Sequence, residues 1–240
     1  SMNKIASLLM TLLIALCLSM PIFAQEDPFE TVITPAFTPI TWERLLNAGD
    51  EPENWLMYSG TLDSQRYSKL DQINTSNVAT MELKWAYQIP VIDRAETVPL
   101  VVDGIMFITE APSNVVAVDG TTGRLYWRYN HELPDDLRIC CGRNNRGVAI
   151  LGETLYMSTL DARLVAIDAR TGNLVWNTEV ADYRSGYSKT AAPLIVGDIG
   201  ANPAQYGNAG ILLNSEGLKN WLFGPLDGPP RNTAQIGMPG

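Results

Sequence analysis

The sequence has few of the residues that usually build metal and acid–base centres: one histidine, His131, and three cysteines, Cys17, Cys140 and Cys141. Without Cys17, which lies in the N-terminal apolar run, one histidine and two cysteines remain, too few for a four-ligand zinc site of cysteine and histidine, and no Cys-x-x-Cys-His haem-attachment motif occurs. Basic residues are also in the minority, 17 Lys and Arg against 26 Asp and Glu, for a net charge of −9. Binding to a phosphate backbone needs clustered basic side chains, so the composition argues against nucleic acid as a partner. Long helical stretches are lacking as well, because 15 Pro and 19 Gly interrupt the chain and β-branched alternation dominates between them.

The longest apolar run, Ile5 to Cys17, is shorter than the ~20 residues of a membrane span. With Lys4 before it and Ile22-Phe23-Ala24 after it, residues 1–24 read as a signal peptide cleaved after Ala24, with an uncleaved anchor as the alternative. Cleavage removes Cys17 and leaves the adjacent pair Cys140-Cys141 in a compartment where disulfides persist. The pair can close a ring or stand as two reduced thiols. A metal site there lacks further ligands, since His131 is the lone histidine. Residues 25–50, rich in Pro, Thr and acidic side chains, read as an extended N-terminal arm with a short helix over Thr41 to Asn47.

From Trp55 onward the chain turns to short apolar runs split by turn residues, and an internal repeat organises them. Ala117-Val118-Asp119-Gly120-Thr121-Thr122-Gly123-Arg124-Leu125-Tyr126-Trp127 matches Ala166-Ile167-Asp168-Ala169-Arg170-Thr171-Gly172-Asn173-Leu174-Val175-Trp176 at an offset of 49 residues without a gap. The same offset pairs Ile105–Ile108 with Thr154–Met157. One unit therefore reads as strand, turn, strand, Asp-x-x-Thr-Gly turn and a strand ending in Trp. Gly123 and Gly172 supply the positive φ of the turn, Asp119 and Asp168 accept from turn amides, and the Trp rings stack one sheet on the next. A multi-stranded unit of this period marks a β-propeller, so the fold class is all-β, a partial β-propeller over residues 51–198. His131, in a loop before Pro134, reads as a surface or edge residue outside the chemistry, and Ser158, Asp161 and Arg163 receive no role.

The repeat resembles that of pyrroloquinoline quinone (PQQ) dehydrogenases. So do Asn54–Gly60 with Gln65-Arg66-Tyr67-Ser68, then Glu96–Gly104, Cys140-Cys141 with Asn145-Arg146-Gly147, and Thr190-Ala191-Ala192-Pro193, in the family's order. The resemblance implies an eight-bladed propeller in the periplasm that oxidises small alcohols with PQQ and calcium and passes electrons to a cytochrome or quinone. It implies that Cys140 and Cys141 form a vicinal disulfide against the face of PQQ. It further implies that Arg146 donates to the quinone oxygens, and that Glu96 and Thr190 bond the cofactor's polar rim. A quinone-free propeller serving as an envelope scaffold is the alternative reading.

The pattern breaks after Asp198. Where the family carries a Gly-Ala-Glu-aromatic-Gly metal segment, this chain has Pro203-Ala204-Gln205-Tyr206-Gly207, so Gln205 offers calcium an oxygen without the charge. Residues 199–240 read as a tail that is either a decayed repeat, Gly217 to Trp221, or the product of a reading-frame slip near Gly207. The family's catalytic Asp has no counterpart here, so no catalytic residue is assigned, and the chain by itself is expected to lack turnover.

Overall fold

The computed structural model describes residues 34–90, 95–139 and 142–195. The leader, Cys140, Cys141, Gln205 and the tail lie outside the described residues. Each copy of the repeat folds as a four-stranded antiparallel sheet with its strands in chain order. In blade 1 these are β1 (Leu100–Val102), β2 (Ile105–Glu110), β3 (Asn114–Asp119) and β4 (Leu125–Tyr129). In blade 2 they are β5 (Ala149–Leu151), β6 (Thr154–Ser158), β7 (Arg163–Asp168) and β8 (Leu174–Glu179). The register repeats with the sequence: Phe107 faces Ala117 and Ala117 faces Trp127, as Tyr156 faces Ala166 and Ala166 faces Trp176. The architecture is that of a partial propeller, as expected.

Two details differ from the expected unit. Each blade begins with an extra strand, β1 or β5, too short to show alternation in the sequence. The fourth strand also continues beyond its Trp, to Tyr129 and Glu179. Burial explains the patterns. β3 and β7 read as near-continuous apolar runs because both their faces are covered, whereas every residue of β8 is exposed or half-buried.

The turns are the joints between blades. Asp119 Oδ1 accepts from the amides of Thr121 and Thr122 at 2.9 and 2.8 Å, and Asp168 Oδ1 from those of Arg170 and Thr171 at the same distances. Gly172, at φ +75°, lies under the indole of Trp127, and a Cβ there would stand 2.6 Å from a ring carbon. Trp127 Nε1 completes the joint by donating to Ala169 O at 3.0 Å. The same joint precedes blade 1: Trp85 covers Gly123, and its Nε1 donates to Gly120 O at 3.1 Å. The sequence repeat does not reveal Trp85, because no Asp-x-x-Thr-Gly turn stands before it.

The arm ties the two blades together at their turn ends. Its helix α1 (Trp42–Leu46) starts where expected, with Thr41 Oγ1 accepting from the Arg44 amide. Ile40 and Gly152 exchange backbone hydrogen bonds of 2.9 and 2.7 Å, and Trp55 pairs with Val101 of β1. Arg44 bridges Glu51 at 2.7 Å and Asp103, in the β1–β2 turn, at 2.6 Å. Arg44 holds Glu51 below the usual carboxylate range against the opposing effect of burial. Burial alone would raise Asp103, but Arg44 and the Thr38 amide outweigh it and lower this carboxyl too.

A depressed carboxylate contributes stability that is present above its unfolded value, about 4, and is lost as pH falls through the folded value. Asp103→Asn is therefore expected to cost about 1 kcal/mol at pH 7 and progressively less in acid. Urea midpoints that differ by the same amount at pH 7 and pH 3 would contradict this coupling.

Candidate functional site

Opposite the Asp-x-x-Thr-Gly turns, the chain segments that lead into β1 and β5, and the segment Lys189–Ile195 beyond β8, run side by side. Val98 N–H donates to Arg146 O at 2.9 Å, and Arg146 N–H donates to Thr190 O at 2.9 Å. The approaches to the two blades and the segment beyond β8 are thereby stitched together through the backbone. Two buried residues fix the middle one. Asn145 Nδ2 donates to Ser158 O at 2.8 Å, and Asn145 O accepts from the Thr109 hydroxyl at 3.0 Å. Thr109 N–H and hydroxyl are themselves 3.1 and 2.9 Å from Thr97 Oγ1. Gly147, at φ +143°, is needed for the close approach, since a Cβ there would stand 3.1 Å from Val98 O.

This frame brings three of the expected cofactor residues into one bonded cluster. Arg146 Nη2 pairs with Glu96 Oε2 at 2.8 Å, and Arg146 Nη1 donates to Thr190 Oγ1. The side chains of Arg146 and Glu96 keep 38% and 35% of their exposure, so the polar groups remain open above a closed backbone. A fourth residue, which the sequence alone does not single out, joins them: Asn144, 3% exposed, donates through Nδ2 to the same Glu96 oxygen. Oε1 of Glu96 has no hydrogen-bond partner among the described residues. Cys140, Cys141 and Gln205, the other expected members, lie outside them.

His131 is not at the surface: it is 7% exposed, and its Nε2 lies 2.9 Å from Asp161 Oδ1. Its backbone N–H donates to Asn114 Oδ1 at 3.0 Å, and Thr159 Oγ1 donates to Asp161 at 2.5 Å. Burial alone would raise the Asp161 carboxyl, but hydrogen bonds from His131 and Thr159 outweigh it and hold it low. The arrangement is a polar joint that ties the chain after β4 to the β6–β7 turn of blade 2. The sequence does not reveal it, because His131 and Asp161 are thirty residues apart and belong to no shared motif. Beside Thr190, burial lowers the pKa of the Lys189 ammonium, and the backbone N–H of Lys189 donates to Thr159 O at 3.3 Å. No three His, Cys, Asp or Glu side chains gather into a metal-binding group among the described residues.

The family model for the PQQ glucose/ethanol/alcohol dehydrogenase β-propeller domain matches residues 55–179, more than half of the chain. The chain belongs to this PQQ β-propeller family. Among curated members, the quinoprotein ethanol dehydrogenase of Pseudomonas putida is 39% identical over 162 residues, 67% of this chain and 26% of that protein. The 1-butanol dehydrogenase (quinone) of Thauera butanivorans is 37% identical over 192 residues, 78% of this chain and 30% of that protein. Among solved structures, a quinohemoprotein alcohol dehydrogenase from Pseudomonas putida matches with a TM-score of 0.62 at 40% identity, over 67% of this chain and 24% of that one. A europium-containing methanol dehydrogenase matches with a TM-score of 0.61 at 33% identity, over 65% and 28%. The chain thus spans less than a third of the length of these dehydrogenases.

The donor set suits a planar, polyanionic quinone. Arg146 supplies a fixed positive charge, Glu96 an acceptor whose own charge is offset by Arg146 and Asn144, and Thr190 a neutral hydroxyl. An isolated carboxylate would repel such a ligand, and the ion pair with Arg146 removes that objection.

Proposed function

We propose that this chain forms one side of the PQQ cradle in a periplasmic dehydrogenase that oxidises small alcohols. The observation that carries the reading is the convergence of Glu96, Arg146 and Thr190, from the approaches to the two blades and the segment beyond β8, into one partly open cluster. The substrate class rests on the curated relatives, which are named for ethanol and 1-butanol. Export rests on the leader-like residues 1–24. Electrons would leave to a cytochrome or a quinone.

When bound, PQQ supplies the two-electron acceptor. Arg146 would hold its remaining N–H donors toward the quinone oxygens, where negative charge grows during reduction, and its planar fork suits that task. Glu96 would accept a hydrogen bond from the cofactor through Oε1, and Thr190 would steady the guanidinium from the other side. Cys140 and Cys141, joined in a vicinal ring, would close the cofactor's face. Calcium is proposed for the whole protein only. The described residues offer it no ligand set, and Gln205 would contribute a carbonyl oxygen at most.

Reconstitution tests this reading. The full-length protein, loaded with PQQ and calcium, is expected to reduce an artificial dye in the presence of ethanol, and to lose that activity once Cys140 and Cys141 are reduced and alkylated. The 240-residue chain alone is expected to show no turnover. Full-length protein that stays inactive with every primary alcohol, PQQ and calcium present, would rule the reading out.

A further inference from the structure

We infer that Asn144 is a positioning residue for the cofactor: a buried amide that holds the Glu96 carboxylate in place independently of Arg146. The inference rests on the cradle proposed for Glu96, Arg146 and Thr190 and goes one residue beyond it. Asn144 is almost fully buried, yet its one described hydrogen bond runs to a carboxylate that is one-third exposed. That bond ends on Oε2, the oxygen already taken by Arg146 Nη2 at 2.8 Å, so two donors from one segment grip a single atom of Glu96.

The neighbours of Asn144 make the grip rigid. Asn145 is pinned to Ser158 O and caps the Gly147 amide at 3.1 Å, and the Arg146 backbone is bonded on both sides. Arg146 must share its donors among Glu96, Thr190 and any ligand oxygen, and each donor turned to a ligand loosens its hold on Glu96. Asn144 has no such conflict. It fixes the rotation of the carboxylate, and with it the place of Oε1, which has no partner among the described residues, and it lets Arg146 respond to the ligand without releasing Glu96.

Two measurements separate this inference from the cradle on which it rests. In the ligand-free full chain, the side-chain amide of Asn144 is expected to give a downfield, slowly exchanging proton that Glu96→Ala abolishes. An unchanged signal in that variant would overturn the inference. With PQQ alone as titrant, Asn144→Ala is expected to bind roughly tenfold more weakly than the parent, as loss of a hydrogen bond to a charged group implies. The isosteric Asn144→Asp is expected to bind more weakly still, because it sets a like charge against Glu96. In a Glu96→Gln background, Asn144→Ala is expected to change the affinity less than twofold. Equal PQQ binding by parent and Asn144→Ala would overturn the inference, and so would loss of the fold in Asn144→Ala while Glu96→Gln folds normally. A parent that binds no PQQ would instead overturn the cradle itself.

Discussion

Replacing Trp127 with alanine is expected to lower the unfolding free energy by about 3–5 kcal/mol, the usual cost of truncating a buried aromatic ring. Trp127 is 9% exposed and fills the space between blades: its indole covers Gly172, its Nε1 binds Ala169 O, and Phe107 lies 6.0 Å away. Trp176 occupies the same place in the second repeat, packed beside Tyr156. The joint itself can be tested by a cycle. Gly172→Ala should be costly in the parent, because the new methyl meets the ring and the left-handed backbone strains it. In the Trp127→Ala background only the backbone penalty of about 1–2 kcal/mol should remain. Additive losses in urea titrations would mean that Trp127 and Gly172 do not act as one joint.

The second large effect concerns the ligand. Arg146→Ala is expected to weaken PQQ binding roughly a hundredfold or more, because two charge-assisted contacts are lost at about 1.5–3 kcal/mol each. The substitution also leaves Glu96 negative and without its cation, facing a polyanion. Arg146→Lys should rescue little, since one ammonium cannot reproduce the fork that reaches both Glu96 and Thr190. Glu96→Gln should be milder than Arg146→Ala, because it removes a charge of the ligand's own sign while keeping an acceptor. Fluorescence titrations of the three variants give the order directly, and a Glu96→Gln loss larger than that of Arg146→Ala would reverse the assigned roles.

Much of the blade is legible in the sequence, because the repeat carries its own physics. The Asp-x-x-Thr-Gly turn needs a carboxylate for its amides and a glycine for its φ, and both stand at the same offset in the two copies. The short strands β1 and β5 are not legible, since three residues cannot display a period of two. Trp85 escapes notice because its function is defined by the turn that receives it, Gly120 to Gly123, and not by its own surroundings in the sequence. For the site, Glu96, Arg146 and Thr190 stand out through family segments, each just ahead of a strand or at the chain's return. Their mutual bonding is not legible, because it depends on the pitch between blades. Asn144 and the His131–Asp161 joint are bonds between segments far apart in the chain that share no common motif, so only the folded chain places them.

A 15N–1H spectrum of the labelled protein titrated with PQQ tests the quinone cradle most directly. Saturable shifts are expected at the amides of Glu96, Asn144, Arg146 and Thr190, with Gly123 and Gly172 at the far turns unmoved. Shifts confined to those turns, or none that saturate, would contradict a quinone site here and leave Glu96, Arg146 and Thr190 as cement between blades.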